Sequence, residues 1–377
     1  MIIFCLEFIF VGLTIYYLFS IFRFGFALRI LSKQPKISQI PSISIIVSAR
    51  NEELTIADCL ESLLGQDYPS DQYEIIVVND QSTDQTRIIV EQYQHQDSRI
   101  QLLNVPSEIR SSKKHALEQG VQKSKHEIIF ITDADCRVGP AWLRKMSPYF
   151  KEDIGLVSGL TILDHCSAPN LFTGLQVLDF IGLAGIGAAL IGRGTPLFCN
   201  ASNLAYRKKI FYEVHGFEGI NDIKTGDDDL FLQKVVAQTK WKIAFSTDTD
   251  TIIHSKPALS IKHFFSQRSR WASKSTRFGY KKHAFFLVSF YVYFLLLTLI
   301  PFLGWSNPFL MIVWAGSFFL KIVADWIFIK KFINIFRLQH WLKYFIPTDF
   351  FQIIYTLITA FSGFFFDVRW KERRIKS

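Results

Sequence analysis

Both ends of this chain are apolar over lengths that can cross a lipid bilayer, which restricts those segments to helices. Residues 2–22 are almost wholly apolar and are broken only by Glu7. Three more apolar stretches lie near the other end, at residues 284–303, 309–329 and 345–366. We therefore predict a transmembrane helix in residues 1–24, two or three spans in residues 284–366 and a basic tail in residues 367–377.

Basic residues crowd beside the apolar stretches and indicate which side of the membrane the middle of the chain occupies. They follow the first stretch and precede the second, at Arg23, Arg29, Lys33, Lys36, Lys274, Arg277, Lys281 and Lys282. Because cytoplasmic flanks of membrane helices are rich in Lys and Arg, residues 32–282 are predicted to be cytoplasmic in a multi-pass protein of the cell (inner) membrane. The same bias explains the net charge of +9 without a nucleic-acid partner. Basic residues follow both of the last two stretches, which leaves the topology of residues 344–377 open.

The middle of the chain alternates apolar runs of strand length with segments of helical periodicity. The strand-like runs lie at residues 42–48, 74–78, 100–104 and 127–132. Such alternation predicts an α/β domain over residues 32–282, with a mostly parallel, Rossmann-like sheet of the nucleotide-binding kind. The first strand is not followed by a G-x-G-x-x-G sequence, and G-x-x-x-x-G-K-[ST] does not occur, so dinucleotide and P-loop sites are disfavoured.

The fourth predicted strand runs into two carboxylates, Asp133 and Asp135, one residue apart. Alternate residues of a strand project the same way, and hard cations such as Mg²⁺ or Mn²⁺ prefer carboxylate oxygens. Ligands of open α/β sheets also collect at the carboxyl ends of strands, so the pattern predicts a metal and phosphate site. A solvated surface loop is the alternative. The spacing recurs in two later pairs, Asp227 with Asp229 and Asp248 with Asp250.

Polar segments of the middle domain resemble motifs of the membrane-bound, inverting family 2 glycosyltransferases, which have a GT-A catalytic domain. That group includes polysaccharide synthases and ceramide glucosyltransferases, and the resemblance covers about residues 41–271. Residues 48–53 and 77–84 resemble the two nucleotide-contacting loops, which implies that Glu52 and Asp80 bind the nucleotide sugar. In the second loop Asn79 stands where the family usually has Asp. Asp133 and Asp135 resemble the metal and diphosphate motif.

Two later motifs make the resemblance more specific. Residues 225–230 (Thr-Gly-Asp-Asp-Asp-Leu) resemble the segment that bears the catalytic base. Asp227 aligns with the base, and Asp228 is the alternative because Gly226 replaces the usual Glu. Residues 267–271 match QxxRW completely. The resemblance implies that this motif binds the donor diphosphate and the acceptor end, through Gln267, Arg270 and Trp271.

Residues 196–207 resemble the family segment that lines the acceptor side. Asn200 and Asn203 in this segment can offer hydrogen bonds to sugar hydroxyls. Just before it, residues 171–191 are apolar over a length that can span a membrane. A span there would put the Asp133 motif and the QxxRW motif on opposite sides of the bilayer, so we favour a helix lying at the membrane surface.

The chemistry of sugar transfer indicates a role for each of these side chains. The departing diphosphate gains negative charge, which a cation held by Asp133 and Asp135 would stabilise. The acceptor hydroxyl must lose a proton to a nearby carboxylate, Asp227 in our interpretation, while Arg270 can hold phosphate in a bidentate way. A donor-contacting lysine is also common before Ala-Leu in the family. We assign that contact to Lys114, beside Lys113, with a solvated helix face as the alternative.

The sequence therefore predicts a membrane-bound inverting hexosyl- or N-acetylhexosaminyltransferase with a UDP-sugar donor, a lipid or glycan acceptor, and Mg²⁺ or Mn²⁺. A processive polysaccharide synthase is the alternative within this class. A non-catalytic, glycosyltransferase-like membrane scaffold is the alternative from another class, supported by the departures at Asn79 and Gly226. Simpler interpretations also exist for single residues, because Asp80 suits a turn, Arg270 a headgroup anchor and Trp271 a membrane interface.

Overall fold

The computed structural model describes residues 2–31, 40–106, 112–164, 169–223, 226–273, 281–365, 368–370 and 373–375. Contacts divide the chain into two compact units. We call residues 30–168 with 190–257 the α/β unit, and residues 1–29, 169–189 and 258–377 the helical unit.

Two sheets organise the α/β unit. Their strands in chain order are β1 (Ile43–Ala49), β2 (Tyr73–Asn79), β3 (Ile100–Asn104), β4 (Ile128–Asp133), β5 (Arg137–Val138), β6 (Ile154–Ser158), β7 (Thr161–Ile162), β8 (Leu204–Arg207), β9 (Lys242–Phe245) and β10 (Ile253–His254). The larger sheet has the order β3-β2-β1-β4-β8-β6-β9, in which β1 to β4 are parallel and β8 runs against both of its neighbours. The smaller sheet has the order β5-β10-β7. The four predicted strands are confirmed, each to within one residue at either end.

Helices cover both faces of the larger sheet. Those of the α/β unit are α2 (Ile56–Leu64), α3 (Thr86–Gln96), α4 (Lys113–Lys123), α5 (Trp142–Met146), α7 (Lys208–Glu213) and α8 (Asp229–Gln238). Alternate residues of β2 separate into two apolar cores, since Ile75 and Val77 enter the core with α2, whereas Ile76 and Val78 enter the core with α4 and α8. Burial on both faces explains why these strands read as continuous apolar runs in the sequence.

Long helices dominate the helical unit. They are α1 (Ile2–Ala27), α6 (Leu171–Gly192, up to residue 189 in this unit), α9 (Ile261–Ser273), α10 (Lys281–Leu303), α11 (Pro308–Ile335) and α12 (Phe345–Phe365), followed by the short strands β11 (Val368–Trp370) and β12 (Arg373–Ile375). Among the described residues, five helical segments are long and apolar enough to cross a membrane: Cys5–Ala27, Leu171–Gly192, Ala284–Leu303, Pro308–Ile335 and Gln339–Ser362. The four predicted end helices are thus present, and α6 also meets the criterion by length and composition.

A buried charged cluster joins three helices within this unit. The Lys321 ammonium on α11 is fully buried and lies 2.8 Å from Asp325 Oδ2 and 2.7 Å from Asp349 Oδ1 of α12. Tyr17 of α1 donates its hydroxyl to Asp325 at 2.8 Å. Since an unpaired charge is costly in apolar surroundings, these contacts fix the pairing of α1, α11 and α12.

Two segments that lie within the predicted domain, residues 32–282, group by their contacts with the helical unit, and the domain boundaries stay a prediction. Residues 169–189 and 258–273 belong by their contacts to the helical unit. The reason lies in polar contacts that composition does not reveal. Gln176 of α6 bonds the main chain of Ala258, and Asp179 of α6 pairs with Arg268 of α9.

Candidate functional site

The carboxyl edge of the larger sheet brings the sequence motifs of the α/β unit together. β1 and β4 are adjacent, and their register pairs Ser48 with Asp133. From β1 the chain adds β2 and β3 on one side of β1 and then returns to place β4 on its other side, so the order of the strands reverses between β1 and β4. This reversal opens a crevice at the strand ends in doubly wound sheets, which is where such sheets bind ligands.

The loops after β1 and β2 are locked to each other by hydrogen bonds. Asn51 accepts at Oδ1 from the Thr83 main-chain N–H at 2.8 Å, and its own N–H donates to Ser82 Oγ at 3.1 Å. The Glu53 carboxylate accepts from the main-chain N–H of Gln85 at 3.0 Å. These contacts hold both predicted nucleotide loops in one arrangement, with Asn51 at a positive φ of 51°.

The two residues predicted to contact the nucleotide lie in these loops. Glu52 accepts a hydrogen bond from Thr55 Oγ1 at 2.9 Å. Asp80 is 4% exposed, and its main-chain oxygen accepts from Arg50 Nη1 at 2.8 Å. Asn79, which replaces the usual Asp, donates its amide to Asn104 Oδ1 at 2.8 Å and accepts from Ser82 N–H at 3.1 Å. Asn79 thereby shapes the loop that carries Asp80.

One ammonium connects the metal motif with the predicted base. Lys113, the first residue of α4, lies 2.6 Å from Asp133 Oδ1 and 3.0 Å from Asp227 Oδ2. Burial opposes the charge of this lysine, but the adjacent Asp133 and Asp227 carboxylates outweigh burial and raise the pKa of Lys113 above its usual value. The Lys113 side chain is therefore a fixed cation between two carboxylates at neutral pH.

Three donor atoms at the end of β4 could hold a metal ion. Those of Asp133, Asp135 and Cys136 lie within 4.8 Å of one another. Burial, and then the charges of Asp135 and Asp133, raise the pKa of the Cys136 thiol, which donates to Asp135 Oδ1 at 3.6 Å. A protonated thiol is a poor ligand, whereas two carboxylates suit a hard divalent cation. The residues present therefore fit a divalent cation bound through Asp133 and Asp135.

The three consecutive aspartates before α8 have different partners. Asp228 is the N-cap of α8 and accepts from Asp229 N–H at 2.7 Å and from Ala201 N–H at 3.3 Å. Asp229 is 4% exposed and accepts from Cys199 N–H at 3.0 Å. Asp227 instead faces Lys113. Asp228 and Asp229 thus bond the local main chain, whereas Asp227 makes an ion pair with the lysine that also contacts Asp133.

The backbone conformation at position 226 explains why glycine stands where the family usually has Glu, just before these aspartates. Its φ is +79°, a backbone conformation that favours glycine. A Cβ atom at this position would also lie 2.8 Å from Cδ1 of Leu230. The preceding motif residue, Thr225, lies outside the described residues.

Two predicted site residues have mainly structural contacts. Lys114 is 3% exposed and donates its ammonium to the main-chain oxygens of Ile220 and Ile223, both at 2.6 Å. Asn203 is fully buried, and its side chain bonds the main-chain oxygens of two segments and the Trp142 indole. The polar atoms of both side chains thus bond other parts of the protein, and the donor role of Lys114 and the acceptor role of Asn203 stay predictions.

The remaining predicted positions can also be located. Asn200 is half-buried and caps a short helical turn by accepting from Ser202 N–H at 3.2 Å. Asp248 of the third aspartate pair caps another turn by accepting from Asp250 N–H at 2.9 Å. Its carboxylate lies 3.6 Å from the Lys145 ammonium. The third pair is therefore a structural turn, whereas Asn200 retains its predicted acceptor role as a prediction.

The QxxRW motif lies on α9 of the helical unit. Gln267, Arg270 and Trp271 are half-buried, and the Trp271 ring lies 5.5 Å from that of Phe180. Arg268, a variable position of the motif, is 3% exposed and pairs with Asp179 at 2.7 Å. The binding roles of the three motif residues stay predictions.

Sequence reasoning missed two features of these regions. The lysine beside the aspartates is Lys113 rather than the chosen Lys114, although the pair Lys-Lys at the start of a helix marked both candidates. The partner of Arg268 was signalled only by Asp179, an acidic residue within an apolar helix. Such an isolated charge usually has a buried counter-charge.

Comparison with known proteins identifies related sequences. Residues 44–214 match the family model described as Glycosyl transferase family 2. A beta-monoglucosyldiacylglycerol synthase of Nostoc sp. is 34% identical over 119 residues, which are 31% of this chain and 25% of that protein. A poly-beta-1,6-N-acetyl-D-glucosamine synthase of Staphylococcus epidermidis is 28% identical over 160 residues, 42% of this chain and 37% of that protein. The chain thus spans only about a quarter to two fifths of the length of these relatives.

A solved structure resembles the chain over nearly its whole length. The mannosyltransferase PcManGT from Pyrobaculum calidifontis, in complex with GDP-Man and Mn²⁺, has a TM-score of 0.61. It is 20% identical, with 95% of this chain and 98% of that chain covered. This likeness confirms the predicted fold class, an α/β GT-A domain accompanied by apolar helices.

Proposed function

We propose that this protein is a membrane-bound, inverting glycosyltransferase, because residues 44–214 match the family model described as Glycosyl transferase family 2. It moves a sugar from a nucleotide donor, UDP-linked in this proposal, to a lipid-linked or saccharide acceptor. The membrane part of the proposal rests on five helical segments that are apolar enough to cross a bilayer. The basic residues beside the apolar stretches support a cytoplasmic α/β unit at the cell (inner) membrane.

The observation that carries this proposal is the position of Lys113. Its ammonium lies within 3.0 Å of both Asp133 and Asp227, so carboxylates from the metal motif and the base motif share one partner. These residues are far apart in the sequence and meet at the strand edge where α/β sheets bind ligands. A site for transfer requires this proximity, because the leaving diphosphate and the attacking hydroxyl lie on opposite sides of one anomeric carbon.

We propose that the residues around β4 bind and neutralise the donor diphosphate. Asp133 and Asp135 would hold Mg²⁺ or Mn²⁺, which would supply positive charge to the departing phosphate. Lys113 is already a cation beside this position and would contribute a second positive charge to the diphosphate. The locked loops after β1 and β2 would hold the nucleoside through Glu52 and Asp80.

We assign the proton transfer to Asp227. Its carboxylate would accept the proton of the acceptor hydroxyl as the oxygen attacks the anomeric carbon in line with the departing diphosphate. A single displacement of this kind inverts the configuration at that carbon. Asp228 is less suited, because its oxygens accept two main-chain hydrogen bonds that hold the start of α8.

The roles of the QxxRW residues rest on the motif itself. We propose that Gln267 and Arg270 serve the donor diphosphate and that Trp271 offers a flat ring to the acceptor or the donor. Arg is suited to phosphate because its planar guanidinium can make two parallel hydrogen bonds. Asn200 is the preferred acceptor-side candidate.

The relatives favour two acceptor classes. The similarity to a beta-monoglucosyldiacylglycerol synthase supports a lipid acceptor, which we place first. The similarity to a poly-beta-1,6-N-acetyl-D-glucosamine synthase supports a growing polysaccharide as the second candidate. The complex of PcManGT with GDP-Man and Mn²⁺ adds GDP-sugars and Mn²⁺ to the compounds that need testing.

The experiment uses the full chain, purified and reconstituted in lipid nanodiscs. UDP- and GDP-sugars are offered one at a time with diacylglycerol, with and without Mn²⁺ or Mg²⁺, and release of nucleoside diphosphate is measured together with mass spectra of the lipid products. We expect one donor to give a glycosylated lipid only when a divalent cation is present. Long glycan products would support the polysaccharide synthase instead. Folded protein that releases nucleoside diphosphate from no donor would support the non-catalytic scaffold.

A further inference from the structure

Arg268, at a variable position of the QxxRW motif, forms a buried ion pair within the helical unit. Arg268 Nη2 of α9 lies 2.7 Å from Asp179 Oδ2 of α6, and the two side chains are 3% and 0% exposed. Tyr355 of α12 donates its hydroxyl to the other oxygen of Asp179. An arginine that anchors lipid headgroups must reach the membrane surface, so this burial excludes that role for Arg268.

Aromatic rings surround the Arg268 guanidinium. Its Cζ atom lies 4.3 Å from the ring centre of Trp271 and 5.0 Å from that of Phe264. The rings of Phe180 and Tyr355 lie at 5.7 and 5.8 Å. The Arg268 cation therefore lies over the Trp271 ring at cation–π distance, and a guanidinium favours contact with aromatic faces.

A second polar contact of α6 binds the segment that precedes α9. The Gln176 amide accepts from Ala258 N–H at 2.8 Å and donates to the Ala258 carbonyl at 3.1 Å. Gln176 and Asp179 are three residues apart and so lie on one face of α6. One face of α6 thus carries two polar side chains. Gln176 binds the segment before α9, and Asp179 binds Arg268 in the middle of α9.

We propose that Arg268 is a positioning residue, which orients Trp271 for sugar transfer through its ion pair with Asp179. The proposal rests on the proposed function for its activity measurement only. The proposed role of Arg268 is to act through Trp271, without contact to the substrate. It acts because a cation held in place by Asp179 forms the surface on which the Trp271 ring rests.

Paired variants distinguish a change in the orientation of Trp271 from a loss of folding. Arg268→Met combined with Asp179→Leu removes both charges at once, so no uncompensated charge is buried and the melting temperature is expected to stay near that of the wild type. Arg268→Lys retains the charge but loses the planar stack. Lys262→Met is the control, because it removes an exposed basic residue from the same helix.

The readouts are kcat for transfer, melting temperature and the ¹⁹F spectrum of protein labelled with 5-fluorotryptophan, in which Trp271→Phe assigns the Trp271 resonance. We expect kcat to fall at least tenfold in the double variant and severalfold in Arg268→Lys, with a shifted Trp271 resonance in both. The Lys262→Met control should match the wild type in kcat and spectrum.

Wild-type kcat and an unshifted Trp271 resonance in the double variant would overturn the proposal. If the double variant does not fold, wild-type kcat and an unshifted Trp271 resonance in Arg268→Lys would overturn the proposal. A wild type without transfer activity would contradict the proposed function, whereas the ¹⁹F spectrum would still decide whether Arg268 orients Trp271.

Discussion

The Lys113 ammonium lies 3.0 Å from Asp227 Oδ2, so the carboxylate that we assign as the base is held by a cation in the structure. The same ammonium contacts Asp133 at 2.6 Å. One cation therefore lies between a carboxylate of the metal motif and the carboxylate that we assign as the base.

Replacing Lys113 by Met should weaken donor binding. The variant would lose the proposed charge-assisted contact with the diphosphate, worth about 1.5–3 kcal/mol. It also leaves Asp133 and Asp227 without their shared cation. We expect donor affinity, measured by titration calorimetry with the nucleotide sugar, to fall about tenfold to a hundredfold. Lys114→Met is the matched control. It should lower the melting temperature through its lost main-chain bonds, and equal donor affinities in the two variants would contradict this assignment.

Gly226→Ala should destabilise the start of α8. The positive φ costs about 1–2 kcal/mol for a residue with a Cβ atom, and the new methyl group would lie 2.8 Å from Leu230 Cδ1. Gly219→Ala is a matched control, because Gly219 has the same φ of +79° but no atom of the described residues lies within 4 Å of its Cβ position. Thermal unfolding should show a larger loss for Gly226→Ala, and equal losses would mean that Leu230 adjusts at no cost.

Asn203→Ala and Asn200→Ala should differ in which property they change most. The first change leaves the Trp142 N–H and two main-chain oxygens without their partner, which costs about 2 kcal/mol or more. The second removes one capping bond, worth about 1 kcal/mol, from the predicted acceptor side. We expect Asn203→Ala to lower the melting temperature and Asn200→Ala to raise KM for the acceptor. A stable Asn203→Ala variant with a raised acceptor KM would support its predicted role.

Lys321→Met should destabilise the helical unit. The change leaves Asp325 and Asp349 buried without a counter-charge, and breaking a buried pair in this way typically costs about 3–5 kcal/mol. Adding Asp325→Asn and Asp349→Asn to this variant should recover much of the stability, because the uncompensated charges are removed. Melting temperatures in one detergent compare the variants, and a Lys321→Met variant as stable as the wild type would mean that these ion pairs do not stabilise the helical unit.

The sequence predicted the sheet and the apolar helices well for physical reasons. Strands buried on both faces must be continuously apolar, as in residues 128–132, and membrane-length helices must lack charges over about 20 residues. The motif aspartates were found because strand ends collect ligands. Choosing between Lys113 and Lys114 was not possible, because adjacent helix residues point about 100° apart and no pattern fixes the rotation of a short helix.

The membership of α6 and α9 in the helical unit also escaped prediction. Contacts between residues far apart in sequence, such as Asp179 with Arg268, leave no periodic signal. The main-chain contacts of Asn203 were not predicted for a similar reason, since an asparagine that bonds buried main chain and one that binds a sugar look alike in sequence. Such choices depend on tertiary packing rather than on local pattern.

The most direct test of the central claim compares Asp227→Asn with Asp228→Asn in the reconstituted chain. Donor affinity and kcat for transfer are measured for both, with melting temperature as the check on folding. We predict that Asp227→Asn retains donor affinity within about threefold but lowers kcat by about a hundredfold to ten-thousandfold, as expected for loss of a general base. Asp228→Asn should mainly lower the melting temperature, because it weakens the cap of α8. Wild-type kcat in folded Asp227→Asn would contradict the account.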